Sequence, residues 1–269
     1  MVVAQLEAPL ARLMPSPFDG SEMGCHGLAL VPRTPATGND RVRDDTAIWT
    51  VAHELRQPLS VIATAVAIVE RESASAATGQ AVAVMARQLR HMSRMVDDLL
   101  DAARLSTGKV SLISQRIDVR DVMAEAGADC APAAAERRQL LDVARGVTPL
   151  WVSADRQRLY QVFSNLLRNA IKFTPHGGRI TFTGGSHDST ITVRVCDTGR
   201  GIDRRALPGI FDLFAQVQPS GLGGVGIGLN VAREIVSLHR GQIAARSDGL
   251  GKGSEFVVPL PLSPPSVSS

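Results

Sequence analysis

The chain has 269 residues, a net charge of +3 and few aromatic residues. So slight a charge, with no basic cluster interleaved with aromatics, argues against a general nucleic-acid binder. Plentiful alanine favours helices plus one sheet over an all-β protein, and the three distant cysteines, Cys25, Cys130 and Cys196, offer neither a zinc site nor a disulfide frame.

The length allows two modest domains with cores of their own. Residues 1–43 contain Pro9, Pro15, Pro17, Pro32 and Pro35 with no sustained period, and are expected to form a poorly ordered arm. The amino terminus lacks a charged-then-apolar signal pattern, and the longest apolar stretch, Leu59–Val69, falls short of the ~20 residues needed to span a bilayer. A soluble cytoplasmic protein with no membrane span is expected.

Residues 44–107 read as a helical hairpin. The first helix is expected from Asp44 to Glu72, where Ile48, Ala52, Leu55, Leu59, Ile62, Val66 and Val69 step by four and three alternately. Ser73–Gly79 reads as a turn, and a second helix from Gln80 to Leu105 repeats the pattern with Val82, Met85, Leu89, Met92, Val96, Leu99 and Ala103. That is the seam of a bundle. Two helices cannot enclose a core, so a homodimeric four-helix bundle is the natural arrangement. His53 lies just beside the seam, next to Glu54, where a nucleophile would be displayed. Pro58 removes an amide donor one turn later and should bend the helix there.

From residue 110 the period changes. Short apolar stretches at Leu112–Ile117 and Leu140–Val143 flank a helix over Val119–Arg138, and a longer helix follows at Asp155–Phe173. Alternating segments at Arg179–Thr183 and Thr190–Cys196 read as strands. A glycine-rich loop leads to a helix over Gly226–His239, and further strands are expected at Gln242–Ser247 and Ser254–Pro259. The second domain, 110–262, is thus expected to be an α+β two-layer sandwich. The Pro/Ser-rich end from Leu260 is expected to fray, with 263–269 as a flexible tail.

Three constellations in this half can carry chemistry. Asn165, Asn169 and Lys172 share one face of a helix. Amide oxygens are hard, neutral ligands suited to Mg²⁺ when a triphosphate brings the negative charge, and a lysine can hold phosphate oxygens as a point charge. The same stripe also reads as a solvated polar face. Asp197-Thr198-Gly199-Arg200-Gly201 follows a strand. Its carboxylate could accept from an exocyclic amine such as adenine's, or the segment could be an ordinary Asp-Gly turn. Gly221–Leu229 opens a helix with free amide donors, which suits phosphate. Gly221, Gly223 and Gly226 also fit a dinucleotide fingerprint with Asp248 as the ribose carboxylate. No strand precedes them, and too little chain remains for a doubly wound sheet.

In this order the segments resemble the two-component sensor histidine kinases over residues 44–262. His53–Leu59 is similar to the phosphoacceptor box, Asn165–Thr174 to the asparagine box, and Asp197–Gly201 to the first glycine box. Phe211-Asp212-Leu213-Phe214 is similar to the phenylalanine box, Gly224, Gly226 and Gly228 to the second glycine box, and Gly251–Ser254 to the third. The resemblance implies a Bergerat-type ATP-binding fold with a mobile lid over Phe211–Gly224. It implies ATP held by Asn165, Asn169, Lys172, Asp197, Gly199, Gly201, Gly224, Gly226, Gly228, Leu229 and Ser254, with Mg²⁺ at Asn165 and Asn169. It also implies autophosphorylation of His53, with Glu54 taking the ring proton, and transfer to an aspartate of a response-regulator receiver domain. Gln57 stands where the family more often has threonine or asparagine, which leaves phosphatase assistance open. Arg200 replaces a small or apolar residue, as a phosphate contact or with no effect. His91 is a surface residue on this reading, and His176, His187 and His239 have no visible partners. No sensor domain is recognisable, so input is expected through the first ~40 residues or a separate sensor protein. The rival readings are a clamp-driving ATPase of the same nucleotide fold and a dimeric ATP-binding scaffold without kinase activity.

Overall fold

The computed structural model describes residues 58–66, 69, 76–106, 111–215 and 226–263. His53, Glu54, Gln57 and Gly224, the chain before Pro58 where the bend was expected, and most of the expected lid fall outside them. Residues 58–66 are helical, and helix α1 runs Ala76–Ser106. It begins four residues before the expected start: alanine, the best helix former, opens it at Ala76-Ala77 and the helix continues through Thr78 and Gly79.

α1 has two apolar faces. Val82, Leu89 and Val96, one position of the seven-residue pattern, are 50, 56 and 44% exposed, whereas Met95, Ala102 and Leu105 are buried in the core of the second domain. The exposed row fits a bundle seam. The buried row was not anticipated and makes the end of α1 a wall of the domain that follows it. One carboxylate fastens this contact: Asp101 Oδ2 accepts from Arg158 Nη1 at 2.9 Å and Gln161 Nε2 at 2.7 Å.

The second domain contains β1 (Gln115–Asp118), α2 (Val119–Glu136), β2 (Leu140–Ala144), β3 (Trp151–Ala154), α3 (Arg156–Phe173), β4 (Arg179–His187) and β5 (Thr190–Asp197). A 3₁₀ turn at Leu207–Gly209, α4 (Gly228–Leu238), β6 (Ala244–Arg246) and β7 (Ser254–Pro261) complete it. β1 pairs antiparallel with β3; the main sheet has the order β2-β4-β5-β7-β6, and only β2–β4 is parallel. A predominantly antiparallel sheet excludes the doubly wound dinucleotide fold that Gly221–Gly226 and Asp248 could have suggested.

Alternation builds this sheet. Ile191, Val193 and Val195 of β5 are fully buried, and so are Ile180 and Phe182 of β4 beside them. α3 lays Leu159, Val162, Phe163, Leu166 and Leu167 on the core, where Phe163 meets Phe182 edge-to-face at 5.6 Å. Leu260 and Pro261 belong to β7, with Leu260 2% exposed. The expectation that the chain frays from Leu260 is therefore corrected. Leu262 and Ser263 still donate to Ser189 and Trp151 carbonyls, so backbone pairing outlasts the apolar pattern.

Candidate functional site

α3 positions the site, and its start is firmly fixed. Asp155 caps it, with Oδ1 accepting from the amides of Gln157 and Arg158, each at 3.1 Å. The Asp155 amide in turn donates to His239 Nε2 at 3.0 Å. Nδ1 must then hold the ring proton and donates it to the Ile235 carbonyl at 2.8 Å. Burial holds the pKa of this imidazole below the usual histidine range. The expectation that His239 lacks partners is corrected: they lie 84 residues away and four residues away in sequence. His187 also has a neighbour, the exposed Asp188 at 3.0 Å.

Two turns along α3, Asn165 is only 7% exposed, which removes the solvated-face reading at that position. Its Nδ2 donates to the Gly228 carbonyl at 3.2 Å, so the amide bridges α3 to the first residue of α4. That leaves Oδ1 as the atom able to meet a ligand. Asn169 and Lys172 follow on the same stripe, both half-buried. Amide oxygens such as those of Asn165 and Asn169 are the kind of neutral donor that a phosphate-bound Mg²⁺ accepts.

Among the described residues no side chain caps the start of α4, and the first amides of such a helix are the donors that suit an anion. Gly226 precedes it, with its carbonyl accepting from Phe214 at 3.1 Å, and Leu229 packs partly on the core. Phe211, at the head of the expected lid, is itself core: it is 1% exposed and meets Phe256 edge-to-face at 6.3 Å.

Asp197 ends β5 and is 4% exposed. Oδ1 accepts from the Gly199 amide at 2.8 Å, and Oδ2 accepts from the Ser254 hydroxyl at the start of β7. Burial raises this carboxyl's pKa, while the Ser254 and Gly199 hydrogen bonds oppose the rise. The local turn and the buried acceptor thus coexist. The glycines here are steric requirements. A Cβ on Gly199 would lie 2.6 Å from the Phe173 carbonyl oxygen, and one on Gly201, at φ +69°, would lie 2.0 Å from that of Gly249. The loop is knitted to both neighbours, with Arg200 N–H donating to Phe173 C=O and Gly253 N–H to Gly199 C=O, each at 3.1 Å. Asn165, Asn169, Lys172, Asp197, Gly199, Gly201, Gly226, Gly228, Leu229 and Ser254 are consequently carried by three adjoining segments: α3, the β5–β7 strand ends and the start of α4.

The nearby thiol contributes nothing nucleophilic. Burial and the adjacent Glu255 carboxylate push Cys196 up to about 12. Among the described residues no cluster of histidine, cysteine and carboxylate suits a metal. Sequence reasoning missed the surroundings of Phe173, whose ring lies under the Arg200 guanidinium at 4.1 Å and the Lys172 ammonium at 4.6 Å. The only signal was an arginine in an otherwise small-residue turn.

Two family models match the chain in succession. Residues 47–108 match the His Kinase A (phospho-acceptor) domain, and residues 154–264 match the histidine kinase-, DNA gyrase B-, and HSP90-like ATPase. The chain belongs to the two-component histidine kinase family. Among curated relatives of this histidine kinase chain is sensor histidine kinase TrcS of Mycobacterium tuberculosis, 34% identical over 80% of the chain and 43% of TrcS. Sensor histidine kinase RppB of Synechocystis is 34% identical over 78% of the chain and 47% of RppB. The chain spans less than half the length of these relatives. Its fold superposes on full-length ShkA in complex with AMPPNP with a TM-score of 0.62, at 23% identity over 82% of the chain and 46% of ShkA. With Acinetobacter baumannii histidine kinase AdeS the TM-score is 0.60, at 19% identity over 79% of the chain and 98% of AdeS. At these identities the likeness is one of fold. No helix among the described residues is long and apolar enough to cross a membrane.

Proposed function

We propose that this chain is an ATP-dependent protein histidine kinase that phosphorylates its own His53 and passes the phosphoryl group to an aspartate of a receiver domain. The observation that carries the reading is that α3 touches both neighbouring segments, through Asn165 to the Gly228 carbonyl at the start of α4 and through Phe173 to the loop that follows the Asp197–Ser254 pair. This set offers an oxygen donor for a cation, amides for phosphate and an acceptor for an exocyclic amine. The order of the two family domains supports it.

The base end of ATP is assigned to Asp197, Gly199, Gly201 and Ser254. The phosphate end is assigned to Lys172, Gly224, Gly226, Gly228 and Leu229. Asn165 and Asn169 would hold Mg²⁺, whose role is to neutralise charge on the phosphates. Nε2 of His53 supplies a lone pair to the γ-phosphorus, an N–P bond forms, the bond to the bridging oxygen breaks, and ADP leaves. Glu54 is the acceptor for the Nδ1 proton. The phosphoryl group then passes from nitrogen to a carboxylate oxygen of the receiver. Gln57, one turn past His53, is the candidate for orienting water in the reverse, phosphatase direction. The exposed row on α1 supports a homodimer. The complex of ThkA with response regulator protein TrrA supports a receiver as the partner, and a separate sensor protein is a further candidate. Use of ATP and of a receiver supports a cytoplasmic reaction.

Incubation with γ-labelled ATP and Mg²⁺, followed by mixing with a panel of receiver domains, tests the proposal. Protein-bound label that chases onto one or a few receivers is expected. Phosphate release without labelled protein would instead assign a clamp ATPase, and binding without turnover a scaffold.

A further inference from the structure

We propose that Arg200 is a positioning residue for the nucleotide: its guanidinium clamps the Phe173 ring at the end of α3 and thereby fixes the pocket wall beside Asp197. This rests on the ATP reading above. The backbone at Arg200 is held without help from its side chain. Its amide donates to Phe173 C=O at 3.1 Å, and its carbonyl accepts from Gly251 N–H at 2.6 Å. The adjoining backbone is closely packed, since a Cβ on Gly253 would lie 2.0 Å from the Asp197 carbonyl oxygen. The loop thus fixes where the arginine side chain starts, and the guanidinium lies 4.1 Å from the Phe173 centroid.

Lys172 brings its ammonium to within 4.6 Å of the same ring centroid. The two cations do different things there. An ammonium is a compact charge on a flexible stem, whereas a guanidinium is planar and stacks flat on an aromatic face. Both also lie at the carboxyl end of α3, the end whose dipole favours positive charge. Arg200 thus pins the ring to the Asp197 loop, and Lys172 keeps its charge near the ring for the phosphates. A wall ordered before the ligand arrives lowers the ordering cost of binding.

Calorimetric titration of the full chain with ATP and with ADP, both with Mg²⁺, tests this in five proteins: wild type, Arg200→Ala, Arg200→Lys, Phe173→Leu and the Arg200→Ala/Phe173→Leu double variant. Arg200→Ala should weaken both nucleotides alike, by about three- to tenfold, the scale of a partly exposed cation–π contact. Arg200→Lys should recover only part of the loss, and the double variant should bind no worse than Phe173→Leu alone. Unaltered thermal midpoints would show that the loss does not come from unfolding. Wild-type affinity in Arg200→Ala, additive losses in the double variant, or a loss confined to ATP would each overturn the clamp; the last would assign Arg200 to the terminal phosphate. Should the wild type bind neither nucleotide, the ATP reading fails and the clamp falls with it. Wild-type binding with an indifferent Arg200→Ala sinks the clamp alone.

Discussion

At Asp197 a buried carboxylate is retained although burial disfavours its charge, which is costly unless the charge is used. Asp197→Asn keeps the shape and an oxygen acceptor but removes the charge. Titration calorimetry should show ATP binding weakened by about ten- to hundredfold, the scale of a charged hydrogen bond, with little loss of fold stability. His239 gives the opposite case, a titratable group with a purely structural task. Its pKa is lowered by burial in the folded chain. The unfolded chain therefore binds the proton more readily, and the contribution of His239 is complete above the ordinary histidine value of about 6.5 and lost as pH falls through the lower folded value. A proton on Nε2 would face the Asp155 N–H, donor against donor. Urea midpoints measured between pH 5 and pH 7.5 should fall towards acid in the wild type, and less steeply in His239→Gln.

Among the elements, α3 is where sequence and structure agree best. Its bounds and asparagine stripe were legible because each is local to one helix. Removing the cap, Asp155→Ala, should cost about 1 kcal/mol and lower Tm by roughly 2–4 °C, as read by calorimetry. The strand β3 was not legible. Trp151-Val152-Ser153-Ala154 is only four residues between a turn and a helix cap, and it is a strand because β1 pairs with it. The partners of His239 and the stack on Phe173 were hidden for the same reason, since residues far apart in the chain create them. α1 shows a subtler case. The helix itself was legible, but Met95 and Ala102 outside the seven-residue pattern, with Met92 and Leu99 inside it, pack on the core of the second domain. The exposed row should then be a dimer contact. Leu89→Glu is expected to raise the dimer dissociation constant about ten- to hundredfold, the scale of one buried leucine, as followed by light scattering.

At the scale of the molecule, the structure joins a helical stalk to a nucleotide domain through the end of α1, fastened by Asp101, Arg158 and Gln161. The sequence made both parts visible through six short boxes, but it did not reveal that they share a core. The histidine that completes the account falls within the phospho-acceptor match at residues 47–108, and the groups that would energise it fall within the ATPase match at 154–264. Wild type, His53→Gln and Asp197→Asn, incubated side by side with γ-labelled ATP and Mg²⁺, interrogate that division most directly. The wild type should take up acid-labile, alkali-stable label; His53→Gln should bind ATP but remain unlabelled, and Asp197→Asn should bind ATP more weakly and take up correspondingly less label. Label persisting on His53→Gln, or phosphate released by the wild type with none retained on the chain, would contradict the account.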